Sequence, residues 1–280
     1  MSKNPDTRPC GPLVIALHCS GASGHQWRHL TGALGEPFAV VAPNLIGTAA
    51  RGHWSGDRPF TLSEEAAHVV DLIDLHAGPV HLVGHSYGGG VALRAACKRP
   101  TRIASLSLYE PTLFYVLKSM GPEGSAALEE IRAIARAMDH GIVSGAYRAA
   151  GEAFVDYWNG PGAWARLKPE AQAEFVRYAP KGCLDFRALI DERLPLSAYR
   201  RLRIPTLLMV GEHAHAPTGL IARKLSEVMT GAQTRTIAGA GHMGPSTHAA
   251  AVNAAIVAHV AANQPEAAHA TRSTCVRAAA

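Results

Sequence analysis

Gly84-His85-Ser86-Tyr87-Gly88 is the stretch that most narrows what this chain can become. The apolar run Val80-His81-Leu82-Val83 precedes it, and the helix-like Val91-Ala92-Leu93-Arg94-Ala95-Ala96 follows. That order reads as a strand, a sharp turn and a helix. A serine on such a turn sits in strained backbone, so small residues must flank it, and Gly84 and Gly88 do. The hydroxyl is then held above a sheet edge, at the positive end of the following helix. Ser86 is therefore the candidate nucleophile. The plainer reading is a strand-to-helix turn that contains serine by chance, and the flanking elements weigh against it.

The same rhythm extends along the chain. Leu13 to Leu17 and Phe38 to Ala42 read as strands buried on both faces, the second stopped by Pro43. A helix capped by Thr61 or Ser63 runs to about His76, with Glu64 and Glu65 suiting its N-terminal end. The helix after Ser86 ends near Arg99-Pro100, and Ile103 to Leu108 is a fourth strand. From about residue 112 to 200 the alternation lapses into helices, such as Ser125 to Asp139 and Pro169 to Tyr178. It resumes with a strand at Thr206 to Val210, a helix from about Pro217 to Met229, a strand at Thr234 to Ile237 and a last helix near Thr247 to Ala261. Alternating strands and helices imply an α/β fold, with a mostly parallel central sheet covered on both faces. The expected layout is a flexible arm over residues 1–12, one domain over 13–262 with a helical lid inserted at about 112–200, and a flexible tail over 263–280.

Composition narrows the function classes. The 280 residues allow one α/β domain with an insertion. The formal net charge of +5 is scattered, and between Thr112 and Arg200 the charges cancel. Without a basic stripe interleaved with aromatics, nucleic acid is not expected as a partner. No apolar run approaches the ~20 residues that cross a membrane. The polar N-terminus lacks an apolar core segment, so no secretory signal is expected. Five widely spaced cysteines argue against a disulfide framework, so the cytoplasm is expected. Oligomeric state leaves no mark in the sequence.

A serine hydroxyl needs a general base. Of fifteen histidines, His242 stands out, in the glycine-rich loop Gly239-Ala240-Gly241-His242-Met243-Gly244 beyond the last strand. Functional loops of a parallel sheet gather at the carboxyl ends of its strands, so this loop and Ser86 are expected to face one crevice. A third group should orient the imidazole.

With His18-Cys19-Ser20-Gly21 after the first strand, the Ser86 turn, the helical excursion and the His242 loop, nearly the whole chain resembles the α/β-hydrolase superfamily. The resemblance implies the order nucleophile, acid, histidine. Members usually carry the acid in a Gly-x-x-Asp stretch after the penultimate strand, where this chain reads Gly211-Glu212-His213-Ala214. Some place it after the strand that follows the nucleophile helix, where this chain has Glu110. Glu110 is the expected acid, with Glu212, Asp185, Asp191 or no acid as alternatives. Backbone donors for an oxyanion are expected at Tyr87 and, in the loop after the first strand, at Ser20 or else Cys19. A cysteine there also suggests that thiol reagents would block the pocket.

Two other constellations are weaker. His213-Ala214-His215 lacks further ligands at metal-binding spacing, so no metal is expected. The glycines from Gly84 to Gly90 match neither phosphate-binding fingerprint. The resemblance implies hydrolysis of a carboxylic ester of a small or medium apolar substrate, a small molecule, with no cofactor. Alternatives are hydrolysis of a carbon–carbon bond in a diketone-like compound, or a non-catalytic ligand receptor on the same scaffold. A serine at position 86 disfavours chemistry that needs a carboxylate nucleophile.

Overall fold

The computed structural model describes residues 11–264. Six parallel strands form one sheet: β1 (Leu13–Leu17), β2 (Ala39–Val41), β3 (Val80–His85), β4 (Ile103–Tyr109), β5 (Thr206–Gly211) and β6 (Ala232–Ile237). Their order is β2-β1-β3-β4-β5-β6, so the chain starts near the middle and winds outward both ways. β3 lies between β1 and β4, with Gly84 opposite both Leu17 and Leu108. This places the turn after β3 at the centre of the carboxyl edge.

Alternation along the strands sends side chains into two cores. Val14 and Ala16 join Trp27, Leu30, Val252 and Ile256 on one face. Leu13, Ile15 and Leu17 join Val69, Val91, Leu106 and Leu108 on the other. The first face is covered by α1 (Arg28–Leu34) and a C-terminal helix, Ala249–Ala262, and the second by α2 (Leu62–Leu75) and α3 (Tyr87–Lys98). Thr61 caps α2, its hydroxyl accepting from the Glu64 amide at 3.3 Å. β1 and β3 are buried throughout.

The edge strands depart from expectation. β2 spans only Ala39–Val41 and is half exposed, because it pairs on one side alone and has no layer over its outer edge. β6 begins two residues early, at Ala232, and is exposed along most of its length for the same reason.

Between β4 and β5 the chain forms α4 (Gly121–Val143), α5 (Tyr147–Asn159), the short α6 (Ala163–Arg166), α7 (Pro169–Ile190) and α8 (Leu196–Arg200). α7 was expected to stop at Tyr178. It continues through Pro180 because the turns beyond carry buried Lys181, Asp185, Phe186 and Leu189, whose packing outweighs the lost backbone bond. The chain then gives α9 (Ala216–Val228) after β5, a single turn α10 (Gly244–Thr247), and α11 (Ala249–Ala262). The expected last helix is α11, which starts two residues later than expected, and the single turn α10 ahead of it was not foreseen. The arm and tail expectations fall largely on residues 1–10 and 265–280, outside the described residues. Among those described, no helix is long and apolar enough to cross a membrane.

The Ser86 turn has little room. A Cβ on Gly84 would lie 2.6 Å from the Gly88 carbonyl oxygen, and one on Gly88 would collide with the backbone of Leu17 and His18. Gly88→Ala is expected to cost roughly 1–3 kcal/mol by pushing α3 off β1; a lowered urea midpoint at unchanged slope would record it.

Candidate active site

Among the described residues, two non-glycine residues adopt positive φ, Ser86 at 53° and Glu110 at 40°, each just past the end of adjacent strands. Such angles persist only where neighbours over-determine them. The Ser86 amide donates to the Tyr109 carbonyl at 3.0 Å, and its own carbonyl accepts from the Gly89, Gly90 and Thr112 amides. The Glu110 amide donates to the Met209 carbonyl at 2.9 Å. Backbone pairing across β3, β4 and β5 thus aims both side chains over the carboxyl edge.

His242 stands between them. Its Nδ1 is 2.8 Å from Glu110 Oε2 and its Nε2 is 3.0 Å from Ser86 Oγ. A carboxylate only accepts, so Nδ1 carries the hydrogen and Nε2 is left to accept from the serine. Glu110 is fully buried. Its oxygens also accept from the Gly211 amide at 3.0 Å and the Thr218 hydroxyl at 2.8 Å. Burial raises its pKa, but the bond to His242, the imidazole's charge and these two donors outweigh burial and hold it below the ordinary value. The carboxylate therefore stays ionised near neutral pH.

The His242 loop is held from below. Tyr109 donates its hydroxyl hydrogen to the Gly241 carbonyl at 2.7 Å. A hydrogen-bonded series runs onward to the loop after β1. The Cys19 amide donates to Gln26 Oε1 at 3.2 Å, Gln26 Nε2 donates to His85 Nδ1 at 3.1 Å, and His85 Nε2 donates to the His242 carbonyl at 2.8 Å. The Cys19 amide is committed to Gln26, which leaves Ser20 as the free candidate donor on that loop, opposite Tyr87 at the start of α3. His18 shapes the same loop: its Nε2 accepts from the Leu45 amide at 3.0 Å and its Nδ1 donates to the Cys19 carbonyl at 2.8 Å.

Beneath the loop lies a buried charge cluster. Lys181 of α7 donates to Asp185 and, at 2.9 Å, to Glu65 of α2. Asp185 also accepts from Ser20 Oγ at 2.7 Å and from Tyr178, while Glu65 accepts from the Tyr87 hydroxyl at 3.0 Å. Burial would lower the Lys181 ammonium, but Asp185 and Glu65 on either side hold it above its ordinary value. One ammonium ion thus ties Ser20, Tyr87, α2 and α7 together.

Ser86 and His242 open onto a cavity of about 210 Å³ whose walls are chiefly Phe154, Trp158, Leu167 and Phe175. The Trp158 ring lies 4.1 Å from that of His242. Cys19 is on the wall, and burial pushes its thiol up to about 12, which disfavours the thiolate that alkylating reagents attack.

Of the carboxylates considered as the acid, only Glu110 meets His242. Glu212 accepts from the Gly239 amide at 2.7 Å, Asp185 serves Lys181, and Asp191 is exposed. His215 stacks on Tyr157, and among the described residues no group of three or more His, Cys, Asp or Glu is gathered as metal ligands. Sequence reasoning missed Gln26, Lys181 and Thr218, which sit on ordinary-looking helices or turns. Only their partners distant in sequence reveal them.

Residues 14–255 match the model of the alpha/beta hydrolase family, and the chain belongs to that family. It is 31% identical over 163 residues to lipase LipV of Mycobacterium tuberculosis, covering 58% of this chain and 55% of that protein. It is 28% identical to a pimeloyl-[acyl-carrier protein] methyl ester esterase of Chromobacterium violaceum, covering 72% and 75% of the two chains. The chain spans about half the length, or less, of several curated relatives it matches. In fold it is similar to MGS-M2, an alpha/beta hydrolase enzyme from a deep-sea metagenome library, with a TM-score of 0.75 at 14% identity over 90% of each chain.

Two outcomes are expected here. Lys181→Met leaves two buried carboxylates facing each other and should cost about 3–5 kcal/mol, read as a lower urea midpoint. Burial lowers His18 and His81 from 6.5 to about 4, and His85 well below 6.5. The unfolded chain therefore binds protons between pH 6.5 and 4 that the folded protein refuses, so stability is full above that window and falls as pH drops through it. The urea midpoint at pH 5 should lie below that at pH 7.

Proposed function

We propose that this protein is a serine-dependent hydrolase that cleaves a carboxylic ester of a small or medium apolar substrate through an acyl-enzyme. The observation that carries the reading is the continuous hydrogen-bonded series from Ser86 through His242 to a buried, ionised Glu110. Relatives named for lipase and esterase activity support it, and the apolar cavity at Ser86 suits such a substrate.

In the first step Ser86 Oγ attacks the ester carbonyl while His242 Nε2 takes its proton. Glu110 keeps the imidazole in the tautomer that can accept and stabilises the imidazolium that forms. The amides of Tyr87 and Ser20 receive the charge on the carbonyl oxygen, that of Tyr87 from the first turn of α3. His242 then passes the proton to the departing alcohol. Water, activated by the same nitrogen, releases the acid. Each step uses groups of the chain and water alone. The helices between β4 and β5 act as a lid, their Phe154, Trp158 and Phe175 excluding water from the reacting bond.

A p-nitrophenyl ester should give a burst of chromophore followed by steady turnover, and Ser86→Ala should abolish both. Ser86→Ala retaining the burst would refute the nucleophile. Glu110→Gln should keep the fold and lower kcat by roughly four orders of magnitude, whereas Glu212→Gln should leave it within a few-fold.

A further inference from the structure

We infer that the site selects esters of two- or three-carbon acids and carries the bulk of its substrate on the alcohol side. This deepens the ester-hydrolase reading and rests on it. Ser86 borders two cavities, and they differ in what else they touch. The larger, of about 210 Å³, is shared with His242. The smaller, of about 20 Å³, is bounded by Ser20, Thr112, Phe114, Phe186 and Leu189, and His242 is not among its walls.

Chemistry assigns the two halves of an ester to these spaces. In acylation the bond from Ser86 Oγ to the carbonyl carbon forms, and the bond from that carbon to the alkoxy oxygen breaks. The electron pair of the broken bond stays on the alkoxy oxygen, which takes the serine's proton from His242 Nε2. That oxygen must therefore lie beside Nε2, which places the alcohol in the cavity that His242 touches. The acyl chain leaves the carbonyl carbon on the opposite side, toward the small cavity. Water then takes the alcohol's place, forms a bond to the acyl carbon, and the proton it loses returns through His242 to Ser86 as the acid departs.

A space of 20 Å³ holds about one water or one methyl group. Its walls have little freedom to retreat. Phe114 and Phe186 are stacked at 5.9 Å with planes 18° apart, and Phe154 meets Phe186 edge-on at 6.0 Å. Leu189 and Phe186 ride on α7, which Lys181 fastens to Glu65 of α2 at 2.9 Å. The Thr112 amide is bonded to the Ser86 carbonyl at 3.1 Å. Exposed Asn159 and Glu174 line the outer cavity.

The test uses the full chain and two sets of esters. Across p-nitrophenyl acetate, propionate, butyrate, hexanoate and octanoate, kcat/KM should peak at two or three carbons and fall by about tenfold or more by six. Of the isomers 2-phenylethyl acetate and methyl 3-phenylpropanoate, the acetate should be favoured by about tenfold or more. Leu189→Ala should move the optimum toward longer acids. A peak at four carbons or beyond, a flat series, or no preference for the acetate isomer would overturn the inference while leaving the ester-hydrolase reading intact. No Ser86-dependent release from any ester would overturn that reading, and the inference with it. The unmodified protein decides the matter even if Leu189→Ala fails to fold.

Discussion

A carboxylate with no exposure to water must be surrounded by donors, and the site is organised around meeting that requirement for Glu110. Its three partners come from three places: His242 from the loop after β6, Gly211 from the end of β5 and Thr218 from α9. Losing any of them would leave a buried charge short of a bond. The electrostatic demand of one side chain therefore fixes the relative positions of three segments. The carboxylate on the His242 ring therefore comes from the residue after β4, while the loop after β5 carries alanine at position 214.

The strained backbone at Ser86 and Glu110 is sustained by the sheet. Each residue's amide is bonded to the strand beside it, so the two side chains rise from neighbouring strands in fixed register. The Cys19–Gln26–His85–His242 series then links the loop after β1 to the loop after β6 through the residue before the serine. Preorganisation of this kind matters because a donor aimed in advance needs no rearrangement when charge develops.

Much of this was legible in the sequence. Ser86 and His242 could be read because glycines mark tight turns at strand ends, and the order of strands and helices announces a parallel sheet. Glu110 was reached only through the family resemblance, in which some members place a carboxylate after the strand that follows the nucleophile helix; its own neighbours in sequence do not mark it. The edge strands were read less well: apolar residues at 38–42 look buried, and nothing local says that β2 has a neighbour on one side only. Pro180 misled the reading of α7, since a proline rule is local while the packing of Lys181 and Phe186 is not. Gln26, Lys181 and Thr218 were invisible because a polar residue on a helix or turn looks the same whether it faces solvent or a partner far away in the sequence.

Lys181 has a further effect on how molecules reach the site. It belongs to the helices between β4 and β5, yet Glu65, one of its two counter-ions, belongs to the main body. Swinging those helices aside as a unit would tear an ammonium from a carboxylate in a dry interior, at a cost comparable with much of a protein's total stability. The rim at Asn159, Leu167 and Glu174 stands apart from that buried pair, and its side chains can turn without breaking it. The entrance works as a porch rather than a door.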